Sequence, residues 1–216
     1  TQHSTLVLSS RAGDVKKLSD LAGSRIGTWK VGFSEIPHMI DEEQHLDIEW
    51  IKLINSLNLY IAGAIDATLA KTYNELILFS MSGITPGSVL HFSEHGYDFP
   101  EDGLYIKADY YKKYPKQAKA FAVASRMGWE WAQQHPDKAL EIVIKVMERE
   151  RIPVSRRYQK WMLEQTLKLL CDKRTNKPSF EIDVEKFNQI NQFLIKRGSI
   201  TKPLPIDKIR GTHLCK

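Results

Sequence analysis

The chain has 216 residues, 42% of them hydrophobic and 26% charged, with a net charge of +5, which is long enough to bury a full core in one large domain or two small lobes. Its apolar residues fall in short periodic groups, far from the roughly 18 consecutive positions that span a bilayer. Its basic clusters, Lys112-Lys113 and Arg149 to Arg157, are broken by acids or apolar residues and have no glycine-aromatic nucleic-acid motif beside them; they read as solvated helix faces, although the positive balance suits an anionic ligand or a membrane surface.

Thr1 to Ser10 shows no initiator Met, charged leader region or signal-type apolar segment and runs directly into a strand pattern. A removed leader or an absent amino-terminal piece is therefore expected. Leu18 to Leu21 forms a short helical or turn segment closed by Gly23, and Arg25 to Trp29 reads as a strand followed by Gly32. Ser34 is placed to cap a helix through Gln44, with Pro37 in its first turn, where a missing N–H costs nothing. A strand over Ile48 to Leu53, a helix over Leu57 to Ala62 with Gly63 as its C′ residue, and a strand over Ala64 to Ala70 complete a strand-helix-strand-helix-strand series. Such units build parallel sheets with right-handed crossovers.

In open α/β sheets the ligand crevice lies beyond the carboxyl ends of the strands. Trp29 and the run Tyr73-Asn74-Glu75 fall at that rim. Two aromatics there could sandwich a flat ring, adding about 0.5 to 1.5 kcal/mol per stacked pair beyond area burial. The structural alternative makes Trp29 and Tyr73 packing residues and Asn74-Glu75 the start of the next helix.

Past Tyr97 the pattern becomes helical. Tyr97 to Ile106 is a turn-rich crossing that leads into a strand, and Asp109 is placed to cap a helix over Tyr110 to Tyr114. Pro115 opens a long helix whose Ala118, Phe121, Ala122, Ser125, Gly128, Trp129 and Ala132 recur as a core face. Pro136, Ser155 and Asp183 begin three more helices, the last closed by Gly198. Trp129, Trp131 and Trp161 are assigned to packing between helices, and the tail from Thr201 to Lys216 to a loosely held end. Cys171 and Cys215 are far apart and lack metal-ligand spacing.

In order, Gln2-His-Ser4 before a strand, Leu18-Ser-Asp-Leu-Ala-Gly-Ser-Arg-Ile-Gly27, Ala62-Gly-Ala-Ile-Asp-Ala67, Tyr73-Asn-Glu75 and Pro100-Glu-Asp-Gly-Leu-Tyr105 resemble the substrate-binding proteins of ABC transporters, the NMT1/THI5-like or SsuA-like family above all. The segments Asp109 to Phe121, Trp129 to Ala132 and His135 to Leu140 extend the similarity to about Met147. The resemblance implies an α/β periplasmic-binding-protein-like fold of type II, two lobes closing on a ligand, with the early part of lobe one missing from the chain. On that reading residues 1–12 are the end of early lobe one and a hinge strand, 13–97 are lobe two, and 98–216 are the second crossing and a helix-rich return to lobe one. It implies a solute-binding component that works with an ABC transporter permease, periplasmic or extracellular, reaching the membrane only through a leader, lipid anchor or partner, and needing no cofactor, metal or nucleic acid.

The ligand contacts expected are His3 and Ser4 at the first crossing, Trp29, Ser34, Tyr73, Asn74 and Glu75. Family members that take thiamine-precursor pyrimidines have a Tyr-Asn-x-Glu type segment where this chain has Tyr73-Asn74-Glu75 without the intervening residue. A carboxylate at Glu75 would accept paired hydrogen bonds from an aminopyrimidine and repel anions, which favours a small heteroaromatic ligand in an interlobe cleft. The alternative ligand is a sulfonate, nitrate or taurine-type oxyanion, which needs donors such as the backbone and hydroxyl groups of Gly32 to Ser34. A further alternative is the extracellular sensing domain of a signalling protein. Pyrimidine synthases that share the fold carry a clustered cysteine motif absent here, and His3, His38 and His91 are isolated from any nucleophile, so the expectation is a binding protein and not an enzyme.

Overall fold

The computed structural model describes residues 1–29, 34–54, 56–172 and 177–209. It divides into two compact units, one comprising Ser4–Asp98 and the other Thr1–His3 with Phe99–Lys216. The first boundary falls at Ser4 and not at residue 13, because the first strand belongs wholly to the Ser4–Asp98 unit, where it is paired on both edges.

That unit is built on a five-stranded sheet. Its strands are β1 (Leu6–Ser10), β2 (Arg25–Trp29), β3 (Glu49–Leu53), β4 (Ala67–Lys71) and β5 (Ser88–His91), in the order β3-β2-β4-β1-β5. Helix α1 (Glu35–Gln44) links β2 to β3, and α2 (Asn58–Ile61) links β3 to β4. The three strands so joined are parallel, with Trp29 level with Leu53 and Gly27 level with Thr68. A helical crossover makes this geometry possible, since parallel neighbours cannot be joined by a tight turn. β1 slots in antiparallel between β4 and β5, with Leu6 opposite Lys71 and Val7 opposite His91. All five positions of β1 and of β4 are buried, as befits strands covered on both faces.

The two sheet faces carry separate cores. Leu6, Leu8, Ile26, Leu69 and Phe92 pack on one face with Leu18 and Leu21 of the 3-10 turn Leu18–Leu21. Val7, Leu53, Tyr60, Ile65 and Phe79 pack on the other with the helix α3 (Glu75–Met81). Alternation along each strand separates them: Leu6 and Leu8 face one way, Val7 the other. Gly63, at φ 76°, turns the chain after α2 where a side chain would be strained.

The other unit is mainly helical: α4 (Ala108–Lys113), α5 (Pro115–Gln134), α6 (Pro136–Arg149), α7 (Arg156–Leu169), α8 (Val184–Lys196) and α9 (Ile206–Ile209), with a two-stranded ribbon of β6 (Cys171–Asp172) and β7 (Lys177–Pro178). Pro115 and Pro136 both sit in the opening turn of their helices. Ser155 caps α7 by accepting the Tyr158 N–H at 3.4 Å, and Asp183 caps α8 by accepting those of Glu185 and Lys186 at 2.9 and 3.1 Å. Asp183→Ala should therefore lower the stability of this unit by about 0.5 to 2 kcal/mol, read from the urea midpoint by circular dichroism; an unchanged midpoint would show the cap to be energetically idle.

Several expectations need correction. Residues 98–107 contain no strand, and Lys107, not Asp109, occupies the cap position of α4. Within α5 only Ala132 is buried and Phe121 is 65% exposed, so the periodic face is not a core face in this unit. The tail is held as far as α9: Asn191 accepts the Leu204 N–H at 2.9 Å and donates to the Leu204 carbonyl at 3.1 Å. Cys215 and the last residues of that tail lie outside the described residues. Trp129 lines a small groove with Leu140, Val143 and Met162, and Trp131 stacks on His135 at 5.0 Å.

Candidate functional site

The topology of the Ser4–Asp98 unit gathers several of the expected residues at one end of its sheet. β2 and β4 run parallel and adjacent, so Trp29 and the residues after Lys71 emerge together. β1 runs the opposite way, which brings its amino end to the same edge: Leu6 pairs with Lys71, and the Thr72 N–H donates to the Thr5 carbonyl at 3.0 Å. Ser4 therefore joins Trp29, Tyr73 and Asn74 at the carboxyl-end rim. Its backbone N–H donates to the Asp98 carboxylate at 2.9 Å, and its hydroxyl accepts the Leu6 N–H at 3.2 Å. Asp98 had no signal in the sequence beyond its place in a turn-rich stretch, because only the return of the chain after β5 brings it beside Ser4.

Trp29 is half-buried. Its indole N–H donates to the Leu69 carbonyl at 3.0 Å, and its ring packs on the core that contains Tyr60 and Phe79. The hydrogen bond fixes the ring against the neighbouring strand. Ser34 occupies the cap position of α1, but its side chain makes no capping hydrogen bond. Gly32 and Phe33, the first two residues of the expected oxyanion-donor segment, lie outside the described residues.

Glu75 does not play the part expected of it. It is only 6% exposed, and its carboxylate accepts the Lys71 N–H at 2.6 Å and the Asn74 side-chain amide at 3.1 Å. The carboxylate closes the turn from β4 into α3, as its place in the first turn of that helix allows. Burial pushes its pKa above the ordinary value, with the Lys71 N–H opposing the rise. A group so enclosed can present neither paired acceptors to an incoming heterocycle nor an open carboxylate to an incoming anion. The side chain, on the first residue of α3, folds back over the end of the preceding strand β4, which the Tyr-Asn-Glu run does not reveal.

His3 falls in the other unit. Its Nε2 lies 3.2 Å from the Cys171 carbonyl and its Nδ1 3.2 Å from the Lys186 ammonium, so both ring nitrogens are engaged. Lys186 also donates to the Gln2 carbonyl at 2.6 Å, and the Gln2 side-chain amide donates to the Ser179 and Glu181 carbonyls at 2.9 and 3.0 Å. These bonds anchor the first residues of the chain to the ribbon and α8. No described helix is long and apolar enough to cross a membrane.

The family model described as NMT1/THI5 like matches residues 1–139. Among solved structures, the chain is similar to the sulfonate-binding protein SsuA of an ABC transporter from Methylobacillus flagellatus KT, with 14% identity and a TM-score of 0.60 over 99% of this chain and 65% of that one. It is also similar to the periplasmic aliphatic sulphonate-binding protein SsuA of Escherichia coli, with 12% identity and a TM-score of 0.58 over 95% of this chain and 64% of that one. The chain thus spans just under two thirds of the length of each. At these identities the likeness is one of fold, that of the type II periplasmic binding proteins. No curated protein matches the sequence.

Proposed function

From the premise that the chain belongs to the NMT1/THI5-like family, we propose that it is part of the solute-binding component of an ABC importer, capturing a small molecule outside the cytoplasmic membrane and handing it to a permease without chemical change. The proposed ligand is a sulfonate-type oxyanion carrying an apolar body, held at the carboxyl-end rim by Ser4, Trp29, Ser34, Tyr73 and Asn74. The observation that carries this choice over a heteroaromatic amine is the enclosure of Glu75, whose carboxylate is taken by Lys71 and Asn74. With that acid withdrawn, the rim presents hydroxyl, amide and aromatic groups, an Asp98 carboxylate that is engaged by the Ser4 N–H, and the start of a ten-residue helix, α1, whose N-terminal end favours negative charge. The sulfonate-binding proteins that share the fold support the same choice. A small heteroaromatic ligand is the second reading, favoured by Trp29 and Tyr73 leaving adjacent parallel strands at the same end.

A thermal-shift series with alkanesulfonates, taurine, nitrate and aminopyrimidines separates the two. A ligand that binds only the folded protein stabilises it by about 2.7 kcal/mol at a free concentration one hundred times its Kd. We expect a saturable shift with an alkanesulfonate and a smaller one in Trp29→Ala. A shift with an aminopyrimidine alone would transfer the site to the second reading, and turnover of any compound would overturn capture without chemistry.

A further inference from the structure

We propose a second ligand site on the Ser4–Asp98 unit, for a small amphiphilic anion: a carboxylate head on a short apolar tail. A groove of about 210 Å³ is bounded by Lys17, Leu18 and Ser19, by Ile40 and Gln44 in the last two turns of α1, and by Leu90, Phe92, His95 and Tyr97. Its volume is roughly that of seven water molecules in the liquid, room for a tail of several carbons and too little for a drug-sized molecule. The groove shares no residue with the rim that the proposed importer function uses. Gln44 lies nine residues along α1 from Glu35, about 13 Å at the rise of an α-helix, so that part of the groove belongs to the far end of the helix, while Leu90 and Phe92 lie at the carboxyl end of β5.

The lining has two parts. Leu18, Leu90 and Phe92 are buried members of one core and supply an apolar floor. Around it stand Lys17, Ser19, Gln44 and His95, whose side chains make no hydrogen bond or ion pair with described residues. Among the described residues no acidic side chain lines the groove. The nearest acid in sequence, Asp20, is turned to the backbone N–H groups of Lys16 and Lys17, at 2.9 and 3.1 Å. Those two bonds, together with the charges of Lys16 and Lys17, hold its carboxyl below its ordinary pKa. An apolar tail would cover the floor, while the Lys17 ammonium, the Ser19 hydroxyl, the Gln44 amide and an imidazole N–H of His95 are donors suited to a carboxylate. Both halves of the ligand are needed: a neutral alcohol leaves the ammonium without an anion, and a bare anion leaves the floor wet.

The test is a titration of the isotope-labelled 216-residue chain with sodium hexanoate, followed by NMR, with hexan-1-ol and acetate as comparison probes. The expected result is saturable shifts centred on Leu18, Leu90 and Phe92, with hexan-1-ol and acetate each binding at least fivefold more weakly. Lys17→Met, at an exposed position that keeps the aliphatic stem, should weaken hexanoate at least fivefold and leave hexan-1-ol unchanged; His95→Gln should act in the same direction. Equal binding of hexanoate and hexan-1-ol, insensitivity to both substitutions, or shifts confined to Ser4, Trp29 and Tyr73 would each overturn the proposal. A null alkanesulfonate screen at the rim would leave it standing, because groove and rim shifts are read at different residues.

Discussion

Replacing Tyr60 with Ala should destabilise the Ser4–Asp98 unit by about 3 to 5 kcal/mol, the range for deleting a buried aromatic ring. Tyr60 is 0% exposed, and its ring lies 4.8 Å from that of Phe79 at 48°. The Arg11 guanidinium donates to the Tyr60 carbonyl at 2.9 Å and sits 5.9 Å from the ring centroid, linking the end of β1 to α2. The hydroxyl shares a hydrogen bond with Ser9 at 3.2 Å, and burial pushes its pKa up. Two costs can thus be separated. Tyr60→Phe keeps the ring and loses that one hydrogen bond, for about 0.5 to 1.5 kcal/mol, with the stranded Ser9 hydroxyl moving it toward the upper value. Urea denaturation of both variants measures the difference. A Tyr60→Ala cost no larger than that of Tyr60→Phe would mean that the ring does not hold α2 against the sheet.

Glu75→Ala should cost about 1 to 3 kcal/mol, because it strips the acceptor from the buried Lys71 N–H without removing the donor. Glu75→Gln keeps an acceptor oxygen and removes the charge, and its effect should depend on pH. Burial raises the Glu75 pKa in the folded protein, so folding favours the protonated carboxyl. That contribution is fully present below the unfolded value, about 4.3, and is lost as pH rises through the higher folded value. Measured against Glu75→Gln, the wild-type protein should be relatively most stable near pH 4 and should lose that advantage toward neutrality. A wild-type advantage that grew with pH would mean the ionised carboxylate is the favoured form, and would return Glu75 to consideration as an accessible anion. Sulfonate affinity should be nearly the same in Glu75→Gln and wild type, since the side chain is enclosed.

Much of the fold was legible because it rests on contacts within a few residues. Ser155 and Asp183 cap helices that begin where hydroxyl and carboxylate oxygens reach N–H groups two or three positions on. Gly63 and Gly198 take positive φ just past helix ends, and the strand over Arg25–Trp29 stood out by its short pattern between turn residues. The ordered motifs from Gln2 to Tyr105 carried a family resemblance that the match over residues 1–139 bears out. β5 was missed because Ser88–His91 is a four-residue edge strand with little periodicity of its own. The ribbon of β6 and β7, two residues a side, offers less still.

By itself, then, the sequence determined the order and type of the longer elements and the parallel run of β2, β3 and β4, since hydrophobic period, caps and crossover helices are encoded locally. Only the tertiary structure decided that β1 enters antiparallel between β4 and β5 and so carries Ser4 to the rim beside Tyr73, a pairing that joins residues as far apart in the chain as Leu6 and Lys71 or Val7 and His91. It also decided which apolar faces are covered: the period of α5 marks Phe121 as inward, but exposure depends on what packs there. The enclosure of Glu75 belongs to the same class. Its composition and position were plain, while the direction of its side chain followed from the backbone N–H of Lys71 standing within reach at the end of a buried strand, where leaving that donor unpaired would cost more than the side chain gains by facing water.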